Sequence, residues 1–253
     1  MDKRLDNSCS AFYSSVFVKT LILIVLNVLF GCHAFGQVDT HILYSKQLGD
    51  SVQYFTYTSG DSNEPISGTI YMLDGKKMIE NGLIETIKKV NETSESKAYR
   101  YIFVSSIVNG KDKREDYFSC NPSYVSFFED ELIPLIEKDT IYEKKRALMG
   151  ASFGGLCAAY FATKSQAFTH YVLLSPITYL CKDLHTQLAF SKNIGLNIYI
   201  SSGKNDAERY VRSLVKGLQA QQHTITEVTT ERGHDFENWK SQLGQIIEFF
   251  KKY

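Results

Sequence analysis

Apolar residues along this chain switch repeatedly between two periods. Two β-rich runs, Ile42 to Lys46 and Val52 to Thr58, flank Gly49-Asp50 and predict an antiparallel hairpin. The polar stretch Asp61-Ser62-Asn63-Glu64-Pro65 carries turn chemistry and predicts a loop. Beyond it, short apolar strand signals recur at Thr69 to Leu73, Tyr101 to Val104, Ala147 to Met149, Tyr171 to Leu174, Leu196 to Ile200 and Thr224 to Thr229. Between them the spacing turns helical at Met78 to Val90, Tyr124 to Glu137, Phe153 to Ala162, Ala207 to Gln221 and Asn238 to Lys252. Pro134 inside the second of these predicts a kink. Apolar strands alternating with helices require a mainly parallel sheet covered on both faces, with the first hairpin as its antiparallel edge.

The N-terminus breaks this pattern. Lys3, Arg4 and Lys19 precede an apolar run from Thr20 to Phe30, shorter than the ~20 residues of a membrane span. Small residues follow at Gly31, Ala34 and Gly36. This order predicts a signal peptide over residues 1–36, cleaved after Gly36, and one domain over 37–253. Leu29-Phe30-Gly31-Cys32 also resembles a lipobox, so lipidation at Cys32 is the second reading. An exported protein is expected, periplasmic or extracellular, without a membrane span in the mature chain.

Composition narrows the partners. Lys plus Arg and Asp plus Glu each total 28, and no basic run supplies a phosphate-neutralising surface, which argues against nucleic acid. Cys9 and Cys32 fall in the leader. Cys120, Cys157 and Cys181 remain, without redox or metal spacing. One disulfide among them is allowed, but buried small hydrophobes are the favoured reading. The six histidines do not cluster with cysteines or pair at i, i+4, so no metal or cofactor is expected. Nothing sets an oligomeric state.

Candidate chemistry centres on Gly150-Ala151-Ser152-Phe153-Gly154. The pentapeptide sits between an apolar strand and a small-residue helix, the setting of a nucleophile elbow. A sharp turn there exposes the serine Oγ and places the Phe153 N–H at the positive end of a helix, where it can hold an oxyanion. Gly150 and Gly154 are expected where a Cβ would collide with the neighbouring strand or helix. A serine hydroxyl needs a base beside it. His234, in Arg232-Gly233-His234-Asp235 after the last strand, is the candidate. Asp206, after Ser201-Ser202-Gly203, is the preferred acid; Glu208 is the alternative, with Asp206 then only a helix cap. Asp235 is expected to cap the last helix. A second oxyanion amide is expected near Asp74-Gly75-Lys76, with Asp74 a turn-former.

These blocks resemble the putative-esterase family that includes esterase D, enterochelin-type siderophore esterases, feruloyl and acetylxylan esterases and bacterial mycolyltransferases. The similarity runs from about Tyr71 to Phe250. It rests on Tyr71-Met72-Leu73-Asp74-Gly75, Arg114-Glu115-Asp116-Tyr117, Phe127 to Glu137, Gly150 to Leu156, Ser175-Pro176 and Gly233-His234-Asp235 with Trp239. It implies an α/β-hydrolase fold, a Ser152-His234-Asp206 triad, and oxyanion donation by the amides of Phe153 and Lys76. At Ser175-Pro176-Ile177-Thr178-Tyr179 the chain departs from relatives that carry a Trp, and it has little extra sequence for a lid, so little or no lid is expected. The implied activity is cleavage of a carboxylic ester through an acyl-enzyme. A siderophore or related small ester is preferred over a sugar-linked feruloyl or acetyl ester. An acyltransferase is the rival chemistry, and a non-catalytic binding protein on the same scaffold is the rival class.

Overall fold

The computed structural model describes residues 37–60, 64–93, 97–138 and 145–253; the expected leader and its Cys32 lie outside them. Among the described residues ten strands are present: β1 (Asp39–Ser45), β2 (Asp50–Thr58), β3 (Thr69–Met72), β4 (Arg100–Val104), β5 (Ile107–Val108), β6 (Lys111–Asp112), β7 (Arg146–Ala151), β8 (His170–Leu174), β9 (Asn197–Gly203) and β10 (Thr224–Thr230). Eight of them form one sheet in the order β1-β2-β4-β3-β7-β8-β9-β10. β1 and β2 pair antiparallel, and β2 meets β4 antiparallel. Every other neighbouring pair is parallel. The expected α/β architecture with an antiparallel edge is therefore present.

Successive residues of a strand face opposite sides, and β3 shows the consequence. Tyr71 enters one core, with Phe127, Phe128 and Leu156. Ile70 and Met72 enter the other, with Ile84, Ile87, Trp239 and Ile246. All residues of β3, β7 and β8 are buried, as central parallel strands require.

Three expected helices are interrupted, each for a local reason. The one expected from Met78 is two, Gly75–Glu80 and Leu83–Thr93. Gly82, at φ 79°, takes the left-handed conformation that ends the first. The one expected from Tyr124 to Glu137 is a helix Pro122–Ser126, a π segment Phe127–Leu132 and a helix Ile133–Glu137. Pro134 has no N–H for the preceding turn, and widening just before it absorbs the missing bond. The last helix splits into Phe236–Ser241 and Leu243–Lys252 at Gln242. There the Gln242 Nε2 donates to the Asn238 carbonyl at 3.2 Å, the acceptor its own N–H would take in a continuous helix.

The cysteines correct the favoured reading. Cys120 and Cys181 form a disulfide with Cα atoms 5.9 Å apart, 61 residues apart in sequence, while Cys157 is free and buried. Closing a loop of that size limits the unfolded chain by about 4 kcal/mol on the chain-entropy model. Cys120→Ser/Cys181→Ser is expected to lose stability of that order in urea titrations against the oxidised protein.

His170 opens β8 and is 1% exposed. Its Nδ1 pairs with the Thr169 hydroxyl at 2.8 Å, its Nε2 has no partner among the described residues, and its ring stands edge-on to Phe250 at 4.9 Å. Burial, with the nearby Lys145 charge, pushes its pKa down to about 4. The folded value lies below the unfolded one, so His170 favours the folded state fully above about pH 6.5. That contribution, roughly 3 kcal/mol, is lost as pH falls towards 4. Unfolding free energies measured between pH 7 and 4.5 should fall more steeply for the wild type than for His170→Gln.

Candidate active site

The site lies where the C-terminal ends of β3, β7, β9 and β10 meet the turns that follow them. β7 runs into Ser152, which has φ 56° and ψ −117°, a conformation L-residues rarely adopt. Its N–H donates to the Leu174 carbonyl at 2.8 Å, tying the turn to β8. Such a turn needs glycine beneath it: a Cβ on Gly150 would stand 2.1 Å from the Gly154 carbonyl oxygen. Gly154 differs from expectation, because a Cβ there would meet Leu73 at an ordinary 3.5 Å. The tight neighbour is Gly155, whose Cβ would lie 3.0 Å from the Pro176 Cα. Gly150→Ala is expected to cost on the order of 4 kcal/mol or more, against about 1 kcal/mol or less for Gly154→Ala, in chemical denaturation.

Ser152 is the N-cap of the helix Phe153–Lys164, yet its side chain caps nothing. Its Oγ lies instead 2.9 Å from His234 Nε2. His234 Nδ1 is 2.7 Å from Asp206 Oδ1. A donor proton on Nδ1 leaves Nε2 free to accept from the serine. Asp206 sits on the turn after β9, and its Oδ2 accepts from the Gly203 N–H at 3.4 Å. Glu208 is not brought to His234; it accepts from the Asn205 N–H at 3.2 Å and faces Arg212 at 3.9 Å.

The loop bearing His234 is held on several sides. Asp235 caps the following helix by accepting from the Asn238 N–H at 2.8 Å, as expected. Asn238 Nδ2 donates to the Gly233 carbonyl at 2.7 Å, and its Oδ1 accepts from the Thr230 hydroxyl at 2.7 Å. Trp239 stands edge-on to the imidazole with ring centres 5.3 Å apart, and its Nε1–H donates to Ser175 Oγ at 3.3 Å. The sequence offered no signal for Asn238.

The amides of Phe153 and Lys76 belong to the first turns of the helices that follow β7 and β3, neighbouring strands of the sheet. Gly75 allows the second helix its position: a Cβ on it would fall 2.3 Å from the Phe103 carbonyl carbon. Asp74 precedes it at φ 57° and ψ 33°, the left-handed turn conformation. Its carboxyl group is buried and accepts from the Ser106 hydroxyl at 2.5 Å. Burial pushes its pKa up, opposed by that hydroxyl and by the Arg114 and Lys77 charges. Ser106 was not legible in the sequence, since it stands 32 residues away. Tyr179, 58% exposed, packs edge-on against Phe153 at 5.7 Å.

A mainly parallel sheet with a Ser-His-Asp hydrogen-bond chain at the C-terminal ends of its strands has the architecture of an α/β-hydrolase. The chain belongs to the esterase family described as "Putative esterase", which matches residues 45–250. Comparison with curated proteins gives no match. Among solved structures, the enterobactin esterase FES from Shigella flexneri, solved in the presence of enterobactin, is similar with a TM-score of 0.77 at 20% identity. That similarity covers 85% of this chain and 60% of FES, so the chain spans only part of that esterase's length. The BES protein from Bacillus cereus is similar with a TM-score of 0.64 at 19% identity, over 84% of this chain and 94% of that one. The siderophore hydrolase EstA from Aspergillus nidulans gives a TM-score of 0.65 at 15% identity, over 85% and 94%. No helix among the described residues is long and apolar enough to cross a membrane.

Proposed function

We propose that the protein is a serine esterase that cleaves a carboxylic ester through an acyl-enzyme on Ser152. The observation that carries this reading is the continuous chain from Ser152 Oγ through His234 to Asp206 Oδ1, with contacts of 2.9 and 2.7 Å. His234 takes the serine proton as Oγ attacks the ester carbonyl, and Asp206 holds the imidazole in the tautomer that can accept it. The carbonyl oxygen gains negative charge, which the N–H groups of Phe153 and Lys76 stabilise. The tetrahedral intermediate collapses, the C–O bond to the alcohol breaks, and His234 gives its proton to the leaving oxygen. Water then attacks the acyl-enzyme with the same base assisting, and Ser152 is regenerated.

The preferred substrate is a siderophore or related small ester. One finding supports it: the similar proteins include enterobactin esterases and a siderophore hydrolase. Export to an oxidising compartment is supported by the Cys120–Cys181 disulfide. A panel of ferric catecholate esters, feruloyl sugars and acetyl sugars, run with and without an added acceptor alcohol, tests the assignment. Catecholate esters should give the highest kcat/KM, with free acid as product. A higher value for the sugar esters, or acyl transfer to the acceptor, would replace this substrate class.

A further inference from the structure

Asp74 stands at the N-cap of the helix Gly75–Glu80, a position where an aspartate normally turns its carboxylate onto the second or third amide of the helix. The second amide here is Lys76, the donor that the esterase reading assigns to the oxyanion. Asp74 makes no such bond. Its carboxyl is turned the other way, onto Ser106 at 2.5 Å, and is 6% exposed. Its Oδ2 lies 3.8 Å from where a Cβ would stand on Gly154, so the group sits between the oxyanion turn and the start of the nucleophile's helix.

Ser106 is fixed independently of Asp74. The Ser105 N–H donates to the Gln53 carbonyl at 2.9 Å, and the Lys113 N–H donates to the Ser106 carbonyl at 2.8 Å. Ser105 Oγ accepts from the Ile107 N–H at 3.0 Å. The hydroxyl is thus presented from a held turn at the end of β4.

We infer that Ser106 is a positioning residue, which holds the Asp74 carboxyl away from the Lys76 amide and so keeps that N–H open for the oxyanion. This inference rests on the Ser152 esterase reading. Without the hydroxyl, Asp74 relaxes from its left-handed conformation and caps its own helix. The carboxylate then occupies the donor and sets a negative charge where the oxyanion must form.

The test is a set of three variants assayed on a p-nitrophenyl ester, with folding checked by thermal melts and the fluorophosphonate adduct mapped by mass spectrometry. Ser106→Ala should lose about 10²-fold in kcat with little change in KM, the range for loss of one oxyanion donor. Ser106→Thr, which keeps the hydroxyl, should retain most of kcat. Ser106→Ala/Asp74→Gly, which removes the competing carboxylate and suits φ 57°, should recover at least about tenfold over Ser106→Ala. A purely structural role would leave the double variant slower still. If Ser106→Ala does not fold, Ser106→Cys, with a weaker donor, takes its place and should show the same kcat loss. Wild-type kcat in the folded single variant, or no recovery in the double, overturns the inference. Absence of an adduct on Ser152 in the wild type overturns the esterase reading instead.

Discussion

Ser152→Ala is expected to lower kcat/KM for p-nitrophenyl acetate by about 10⁴-fold or more, without loss of fold. The magnitude follows from the chemistry: the variant has no acyl acceptor, and only the amide donors and bound orientation remain to assist attack by water. The fold should survive because Ser152 Oγ contributes nothing as a cap to the helix it precedes. The left-handed φ of 56° is the one structural cost an alanine would share with serine. Circular dichroism and thermal melts of the variant separate these two effects. An enzyme that keeps its activity after this change uses another nucleophile.

The second large effect separates two neighbouring carboxylates. Asp206→Asn should lower kcat by about 10⁴-fold, because the amide favours the imidazole tautomer that cannot accept from serine. Glu208→Gln should stay within about twofold, since its carboxylate serves the Asn205 amide and Arg212. Members of one catalytic unit are not additive, so Ser152→Ala/Asp206→Asn should be no slower than Ser152→Ala alone. Steady-state kinetics on the wild type and these four variants checks all three statements. Equal losses for Asp206→Asn and Glu208→Gln would remove the acid assignment.

The same contrast explains what the sequence made legible. Gly150-Ala151-Ser152-Phe153-Gly154 announced a strand-to-helix turn because steric exclusion at Gly150 and the exposed hydroxyl are both local properties. The hairpin and the parallel strands were likewise readable, because their apolar periods are set by which face is buried. Asp206 and Glu208 were not separable in that way: two acids two residues apart satisfy the same pattern, and only the backbone of the turn after β9 decides which one faces His234. The Cys120–Cys181 pair was hidden for a related reason, since three scattered thiols carry no signal of spatial proximity. Gln242 broke a helix whose apolar stripe continues through it, because a side-chain amide took over a backbone acceptor. Ser106 is the extreme case. Its partner lies across the β3–β4 connection, and no pattern in the chain links the two.

The central claim is that Ser152 is the nucleophile, and covalent labelling tests it most directly. Purified protein treated with an alkyl fluorophosphonate, then digested and analysed by peptide mass spectrometry, should carry one adduct, on the peptide containing Ser152. The adduct should be absent from Ser152→Ala and form more slowly in Asp206→Asn. Wild-type protein left unlabelled at Ser152, or labelled equally well in Ser152→Ala, would contradict the account.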